Sequence, residues 1–468
     1  MVFSSYVFLF LFLPAVLLGY YLLPGRGALR TWWLATASYV FYGWSGPAFC
    51  VWMAASTAVD LLVAWGLERA RTQRARRRLL VLSLVFNLGL LGTFKYLGFV
   101  LASLSAALIG LGVLDAPLPD PELPLPVGIS FYTFQSLSYS IDVYRGHVPA
   151  VRPRRTIDFV CFVALFPQLV AGPIVRFGDL RRQLVARRHD LERFATGCAW
   201  IGVGLGKKVL LGDGLAGFAD AAFALESPGL IDSWAGVLAM TLRIYFDFSG
   251  YSDMAVGLGL LFGFTLPVNF DAPFRAGSIG ALWRRWNSTL TSWLRDYVYY
   301  ALPGSRTDRR RADRNLAITF LLCGLWHGAA WHFVAFGAYH AAIVLLERAQ
   351  RRPWALLPRP LRAPWTFVLW MFGVTLFAGA DCGRALALMA GMVGASGLGE
   401  LTIGGARSAA LPLATAAVGL GIVAFAPTTQ RLVAARGWGR TLLALACFTA
   451  SAAQLLSRGF QPMVYFRF

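Results

Sequence analysis

Apolar residues along this chain gather in long stretches, and polar residues gather in short runs between them. An apolar stretch of about 20 residues is long enough for a helix to cross the hydrocarbon of a bilayer. The pattern therefore predicts an all-α, polytopic membrane protein with roughly 10–12 transmembrane or re-entrant helices. The segments that fit, some of them short, long or interrupted, are 4–23, 31–46, 49–66, 79–101, 157–172, 195–216, 232–262, 315–347, 363–379, 383–398, 409–427 and 440–456.

The composition of the chain supports a membrane protein. Of its 468 residues, 57% are hydrophobic and 14% are charged, whereas a soluble surface uses about 25% charged residues. The first apolar segment has no basic region before it and no small-residue cleavage site after it. We therefore expect a retained crossing rather than a removed signal peptide.

The basic residues account for a formal net charge of +20. They occur as short arginine runs between apolar segments, for example Arg26 with Arg30 and the run from Arg69 to Arg78. Such runs are typical of cytoplasmic loops under the positive-inside rule, and none is long enough to form a nucleic-acid-binding domain. The six cysteines are scattered without a Cys-x-x-Cys pair, so neither a disulfide framework nor a metal site is predicted.

Two segments depart from the simple spanning pattern. Residues 115–126 hold five prolines and three acids, which predicts a rigid, non-helical and external loop. Arginine clusters flank 157–172 on both sides. If both clusters are cytoplasmic, this segment is re-entrant, turns near Gly172 and Pro173, and must be buried in protein. The segment 127–145 is only partly apolar.

Four ionisable residues fall inside apolar segments: Asp60, Arg243, Asp247 and Asp253. Such residues are costly in a membrane and are functional candidates by default. The alternative is a hydrogen bond between helices, and we favour this alternative for Asp247 and Asp253.

The histidines are more informative, because the chain has only His147, His189, His327, His332 and His340. The first two lie in arginine-rich loops. The other three share one apolar segment, and on a single helix His332 and His340 would lie about 140° and 220° around from His327. They cannot form one metal-binding face. His327 is bracketed by Gly324 and Gly328, which allows a close approach of backbone or ligand. Spacing alone leaves a catalytic and a structural histidine equally open.

An amphipathic helix is predicted over 282–297. Its apolar stripe consists of Leu282, Trp286, Leu290, Trp293 and Tyr297, at helical spacing. Arg284, Arg285 and Arg295 occupy other faces. Asn287 lies at the edge of the stripe, about 20° from Leu294 around a helix, where it could point into a cavity.

Together these strings resemble the membrane-bound O-acyltransferase family, and within it the bacterial branch that acetylates alginate and related exported polysaccharides. They appear in the family's order at Pro126–Arg145, Phe166–Arg176, Tyr245–Ala255, Trp283–Asn287, Trp293–Tyr297, Gly324–Gly328 and Tyr465–Phe468. The resemblance implies helices around a central tunnel and identifies His327 as the catalytic histidine. The alginate branch usually has histidine at this position. This chain has Asn287 there, and many relatives that acylate lipids, sterols or proteins likewise have asparagine.

The resemblance implies transfer of an acyl group from a thioester, in the first instance acetyl-CoA, with no bound cofactor. His327 would accept the proton of the acceptor hydroxyl, and Asn287 would stabilise the developing oxyanion or hold the thioester carbonyl. Trp286 and Trp326 are predicted to contact substrate. Arg284, Arg285 and Arg295 are candidates for the coenzyme's phosphates, with the cluster at 306–314. The alternative is that these arginines only anchor the cytoplasmic face.

We expect one integral membrane domain over 1–468, with a core at 120–347 that carries the motifs and further helices at 363–456. It would reside in the inner membrane among lipids, beside an extracytoplasmic acetyltransferase partner and a polysaccharide synthesis complex. The acceptor stays open among alginate, cellulose, peptidoglycan and teichoic acid, the last receiving D-alanine. A transporter or flippase of an acylated carrier, or a scaffold, are the alternatives to an enzyme.

Overall fold

A computed structural model describes residues 1–24, 28–349, 357–403, 405–435, 437–459 and 461–464 of the chain. Helices dominate these residues, and none of them lies in a strand. The all-α prediction is therefore confirmed. Arg26, part of the first arginine cluster, and the string Tyr465–Phe468 lie outside the described residues.

Five helical stretches in the described part of the chain are long and apolar enough to cross a membrane. They are Phe49–Arg69, Gln73–Gly110, Leu191–Ala224, Arg359–Ala378 and Trp438–Ser457. Shorter apolar helices cover Phe8–Leu22, Cys382–Met392 and Ala409–Phe425. The chain is thus a polytopic membrane protein by the length and composition of its helices.

The chain divides into two compact units. The first comprises residues 1–194 with 259–266, and the second comprises 195–258 with 267–468. The single domain expected from the sequence stays a prediction.

The first unit contains nine helices in its described residues. They are α1 (Leu13–Leu22), α2 (Leu29–Gly43), α3 (Phe49–Arg69), α4 (Gln73–Leu91), α5 (Leu97–Gly110), α6 (Ile129–Arg145), α7 (Thr156–Ala164), α8 (Phe166–Leu169) and α9 (Phe177–Val185). No helix covers 115–126, so the prediction that the proline-rich stretch is non-helical is confirmed.

The helix α6 is buried along most of its length although it is rich in serine, tyrosine and other polar residues. It begins after Gly128, whose φ is +77°. A side chain at Gly128 would also meet the carbonyl of Leu169 at 2.9 Å, so only glycine suits this start. Polar residues on a helix buried in protein explain why the segment 127–145 looked only partly apolar.

Asp60 is the centre of a hydrogen-bond network that joins α3, α4 and α6. Its carboxylate accepts hydrogen bonds from Ser83 at 2.5 Å, Ser140 at 2.8 Å and Asn87 at 3.1 Å. Ser56 in turn donates to the side-chain oxygen of Asn87 at 2.6 Å. Since Asp60 is fully buried, these donors replace the water that a carboxylate otherwise needs. These contacts give Asp60 a structural role, one of the two roles that the sequence left open.

The segment 157–172 is two short helices, α7 and α8, separated at Leu165. Nearly all of its residues are buried within the first unit. A side chain at Gly172 would overlap the carbonyl of Pro167 at 2.4 Å, so the chain turns tightly back on α8 there. Short, buried helices are what a re-entrant element requires, and the re-entrance itself stays a prediction.

The second unit is formed mostly by the helices from α10 onward. They are α10 (Leu191–Gly206), α11 (Ala216–Ala224), α12 (Leu230–Leu261), α13 (Ile279–Trp283), α14 (Ser288–Tyr297), α15 (Arg309–His327), α16 (Trp331–Ala349), α17 (Arg359–Ala378), α18 (Cys382–Met392), α19 (Gly405–Phe425), α20 (Thr429–Ala434) and α21 (Trp438–Arg458). A π-helical turn, Lys207–Gly212, continues α10.

The ionisable residues of α12 pair with neighbouring helices. Asp253 lies 2.7 Å from the Nζ of Lys207 and accepts a hydrogen bond from Thr429 at 2.7 Å. Arg243 donates to Asp220 of α11. The bonding between helices predicted for Asp253 is confirmed, and Asp247 is likewise paired, with Lys208.

The segment 315–347 is a helical hairpin, and the treatment of its histidines as members of one helix was wrong. The helix α15 ends at His327 and α16 begins at Trp331. The two helices pack backbone to backbone, because side chains at Gly324 and Gly337 would overlap the carbonyls of Phe333 and Phe320 at 2.2 and 2.4 Å. The chain reverses at Gly328, so angles computed along one helix do not describe these residues.

Removing the Asp60 carboxylate should destabilise the packing of α3, α4 and α6. Asp60→Ala leaves buried hydroxyl and amide groups without their acceptor, so we expect a loss of about 1–3 kcal/mol in stability. Asp60→Asn keeps an oxygen that can accept from the serines, and should lose less. Thermal unfolding of the detergent-purified variants measures both. Equal stability of Asp60→Ala and the native chain would contradict the network's structural role.

Candidate active site

The predicted helix 282–297 is two helices, α13 and α14, interrupted at residues 284–287. The interruption was not predicted. Asn287 has φ +42° and ψ +52°, the left-handed conformation that asparagine tolerates better than most residues. The apolar stripe nevertheless holds, because all five of its residues are buried. Hydrophobic spacing thus identified the buried face but not the break in the backbone.

The turn between α13 and α14 is held by a neighbouring segment at 268–271. The backbone N–H of Ser288 donates to the carbonyl of Asn269 at 3.0 Å, and that of Asp271 donates to the carbonyl of Arg285 at 3.0 Å. Thr289 donates its hydroxyl to the side chain of Asn269 at 2.7 Å. These bonds fix Trp286 and Asn287, both of which are buried.

His327 is the last residue of α15 and lies among aromatic rings. Its ring centroid is 5.1 Å from those of Trp326 and Phe377 and 5.8 Å from that of Phe336. Its Nε2 atom is 3.9 Å from the sulfur of Cys323, one helical turn earlier. Only 4% of His327 is exposed. The imidazole is therefore shielded from bulk water and held by packing in one orientation.

A small cavity adjoins His327. Its volume is about 30 Å³, enough for one or two waters. The lining residues come from several helices and from two segments outside them, the break between α13 and α14 and the segment after α21: Ile244, Asp247, Phe248, Trp283, Trp286, His327, Phe336, Trp370, Val374, Phe377, Met463 and Val464. The imidazole of His327 therefore faces a cavity that is lined largely by apolar side chains.

A second cavity in the same unit is much larger, with a volume of about 650 Å³. This volume lies within the usual range of small-molecule sites. Its charged lining consists of Arg284, Arg295, Arg348, Arg362 and Glu347. Glu347 accepts hydrogen bonds from the backbone of Ile279 and Gly280, which leaves an excess of guanidinium groups around the cavity. Such a lining suits a phosphate-bearing ligand.

Two side chains connect the surroundings of the two cavities. Trp283 lines both of them, and Cys323 lines the large cavity while its sulfur lies 3.9 Å from the Nε2 of His327. The large cavity and the imidazole are therefore close neighbours in the second unit.

The structure brings some of the predicted site residues together and separates others. His327 and Trp286 share the small cavity, and Arg284 and Arg295 share the large one. Arg285 does not line the large cavity, and Trp326 lines neither. Arg295 is paired with Asp296 at 2.8 Å, and this contact raises the pKa of Arg295.

Asn287 follows Trp286 directly in the chain. Its side-chain Nδ2 is buried and has no hydrogen-bond partner among the described residues. An amide donor that is buried without a partner costs free energy. Asn287 does not line either cavity.

Several lining residues were missed by reasoning from sequence. Arg348 and Arg362 lie at the end of α16 and the start of α17, within arginine runs that predicted only a cytoplasmic face. Residues 306–314, which were candidates together with Arg284, Arg285 and Arg295, do not line the large cavity. Met463 and Val464 carried no signal at all, because nothing in an apolar pair far along the chain indicates which cavity it lines.

The other two histidines of the hairpin have different surroundings. His332 is paired through Nδ1 with the carbonyl of Leu376 at 2.9 Å. His340 is fully buried against Trp283, Phe336 and Trp370. Among the described residues, no three His, Cys, Asp or Glu side chains are grouped closely enough to hold a metal ion.

The sequence profile of the membrane-bound O-acyltransferase family matches residues 150–378. A probable alginate O-acetylase of Azotobacter vinelandii is 47% identical over 84% of this chain and 78% of its own length. One from Pseudomonas putida is 41% identical and covers both chains completely. A peptidoglycan O-acetyltransferase of Helicobacter pylori is 32% identical over 85% of this chain and 81% of its own.

The left-handed backbone conformation of Asn287 predicts how substitutions at this position change the stability of the protein. Glycine adopts this conformation freely, whereas a β-branched residue is strained there by about 1–2 kcal/mol. Asn287→Gly should therefore insert and unfold like the native chain, and Asn287→Val should unfold at a lower temperature. Thermal unfolding in detergent compares the two. A less stable Asn287→Gly than Asn287→Val would rule out this conformation.

Proposed function

Because the chain belongs to the membrane-bound O-acyltransferase family, we propose that it transfers an acetyl group from a thioester to a hydroxyl of an exported polysaccharide, with alginate as the first candidate. The chain is a membrane-embedded O-acyltransferase. The finer assignment to acetyl and alginate is supported by the relatives named as alginate O-acetylases. The peptidoglycan O-acetyltransferase also supports acetyl, rather than D-alanyl, as the transferred group.

One observation carries the proposed chemistry. His327 adjoins a small cavity that shares Trp283 with a cavity of about 650 Å³, and the larger cavity has four arginines in its lining and includes Cys323, whose sulfur is 3.9 Å from the imidazole. A phosphate-bearing thioester such as acetyl-CoA matches the large cavity in charge. Its thioester end would extend past Trp283 towards the imidazole, while the guanidinium groups hold the phosphates.

The transfer step uses His327 as a general base. The acceptor hydroxyl oxygen attacks the thioester carbonyl carbon while the imidazole takes the hydroxyl proton. The tetrahedral intermediate then collapses, the carbon–sulfur bond breaks, and the proton returns from the imidazole to the thiolate. The products are an O-acetyl ester and a free thiol. Exclusion of water from this enclosure disfavours the competing hydrolysis of the thioester.

Asn287 is the proposed donor to the oxyanion. Its buried Nδ2 has no partner among the described residues, so the donor is available without breaking an existing bond. The left-handed turn sets this side chain at the N-terminus of α14, and a donor whose position is fixed before the reaction is the most effective kind.

The proposed location is the inner membrane, with thioester taken from the cytoplasmic side. The acceptor would be presented by an extracytoplasmic acetyltransferase and a polysaccharide synthesis complex. The names of the alginate O-acetylases support a role in modifying a polysaccharide.

Replacing His327 tests the catalytic assignment. We expect His327→Ala to abolish acetyl transfer, because the imidazole supplies both proton-transfer steps, and to leave membrane insertion intact. The measurement is release of thiol and label transfer from radiolabelled acetyl-CoA, with a short uronate oligosaccharide and the partner enzyme. His332→Ala, outside both cavities, is the matched control and should stay active. Full activity of His327→Ala would remove this histidine from the mechanism.

Asn287→Gly isolates the amide from the backbone. Since glycine keeps the left-handed turn, the loss should be chemical: kcat should fall about 10²–10³-fold. Single-turnover kinetics with labelled acetyl-CoA give this value. An unchanged kcat would show that the amide does not contact the developing oxyanion.

Arg284 and Arg285 form a natural pair for testing the donor site. Arg284 lines the large cavity and Arg285 does not. Arg284→Gln should therefore raise the KM for acetyl-CoA by about tenfold, as for loss of one charge-assisted contact, and Arg285→Gln should change it little. Steady-state kinetics with acetyl-CoA as the varied substrate measure the KM of both variants. Equal effects of both substitutions, or none from Arg284→Gln, would favour arginines that only anchor the cytoplasmic face.

A further inference from the structure

Two residues that follow the last helix line the small cavity beside His327. Met463 and Val464 line this cavity with His327 and Trp286. Both are almost completely buried, at 1% and 5% exposure, although they follow the end of α21. Such burial of an irregular segment requires partners for its backbone.

Two charged side chains supply those partners. The backbone N–H of Val464 donates to the Oδ2 of Asp247 at 2.7 Å. The Nζ of Lys208 donates to the carbonyl of Gln461 at 3.2 Å. Lys208 also lies 2.9 Å from the Oδ1 of Asp247. The segment 461–464 is therefore bound at both ends by one buried ion pair.

The ion pair itself is built into the packing of α12 against the π-helical turn that continues α10. Lys208 has no exposed surface, and it also contacts Asp213. A side chain at Gly212 would come within 3.0 Å of the Asp247 backbone, so this glycine permits the approach that joins the two charges. A buried lysine is costly unless it is paired and hydrogen-bonded. This one is held in a single position by three oxygen atoms from Asp213, Asp247 and Gln461.

The neighbouring residues show that pairing alone does not explain the arrangement. Lys207 and Asp253 form a second ion pair between the same two elements, at 2.7 Å. That pair bonds to Thr429, and neither member lines the His327 cavity. The Lys207–Asp253 pair thus joins helices. The Lys208–Asp247 pair joins helices and also holds the segment that lines the cavity.

We propose that Lys208 and Asp247 are positioning residues for the transfer reaction, because they hold the segment 461–464 as a wall of the His327 cavity. This inference rests on the proposed function. Met463 and Val464 exclude water beside the imidazole and limit the positions that the acyl group and acceptor hydroxyl can take. Displacement of reacting groups by about 1 Å can cost about 10²-fold in rate.

The test combines kinetics with a measurement that needs no activity. Asp247→Ala and Lys208→Met should each lower kcat about 10²-fold, with the KM for acetyl-CoA unchanged, because neither residue lines the large cavity. Asp247 also lines the His327 cavity itself, whereas Lys208 does not, so Lys208→Met isolates the effect of the segment. The double variant should lose no more than Asp247→Ala alone, since Lys208 acts only through the segment that Asp247 also holds. Asp253→Ala removes a carboxylate from the other buried pair and is the matched control, with kcat close to native.

The second measurement follows the segment directly. In the otherwise native chain and in Asp253→Ala, Val464→Cys should be protected from a membrane-permeant maleimide. In Asp247→Ala it should react. Labelling of the six natural cysteines is subtracted as background in each case. If Asp247→Ala fails to insert, Asp247→Leu, which keeps the approximate size of the side chain and removes both acceptor oxygens, takes its place. Protection of Val464→Cys in both the Asp247 and Lys208 variants would overturn the proposal, as would equal kcat losses in the Asp247 and Asp253 variants. Absence of acetyl transfer in the native chain would instead refute the proposed function, and the labelling result would still report on the anchoring.

Discussion

The close contact between α15 and α16 determines where the imidazole of His327 lies. Gly324 and Gly337 let the backbones of the two helices approach until any side chain would overlap a carbonyl oxygen. Phe333 closes the turn over Gly328, and Phe336 packs against His327. Because lipid gives helices no hydrophobic reason to associate, such close van der Waals packing between small residues is a main source of their affinity. A hairpin packed this tightly gives the histidine a fixed backbone.

In the second unit, the basic residues inside the bundle are paired with carboxylates, whereas the basic residues around the large cavity are more accessible to a ligand. The buried cations Lys208 and Arg243 and the mostly buried Lys207 pair with aspartates, as a low-dielectric interior requires. The arginines around the large cavity are partly or fully exposed and form solvent-accessible ion pairs, such as Arg348 with Asp313 at 3.1 Å. The basic residues thus divide into those that stabilise the bundle and those near a cavity where phosphates would bind.

The hydrophobic pattern predicted the fold class and most helices correctly, because burial in lipid or protein selects apolar residues at any point along a helix. The pattern was less informative where a helix is surrounded by protein. The polar helix α6 and the broken segment 157–172 show this, since protein partners can satisfy groups that lipid cannot. Asp60 is a further example. Its sequence context marked it as unusual, but only the serines and the asparagine around it define its role.

The small residues around His327 and the apolar stripe of 282–297 could be recognised from spacing, because both are local properties of a helix. Three features depend on contacts between distant segments and were out of reach. The break at Asn287 is held by hydrogen bonds to residues 268–271. Arg348 and Arg362 line the same cavity as Arg284. Val464 lines the cavity of His327 and is held there by a hydrogen bond to Asp247. Short-range periodicity reports which residues avoid water. It carries no information on which distant residues share the space they enclose, and in this protein that shared space is the candidate site.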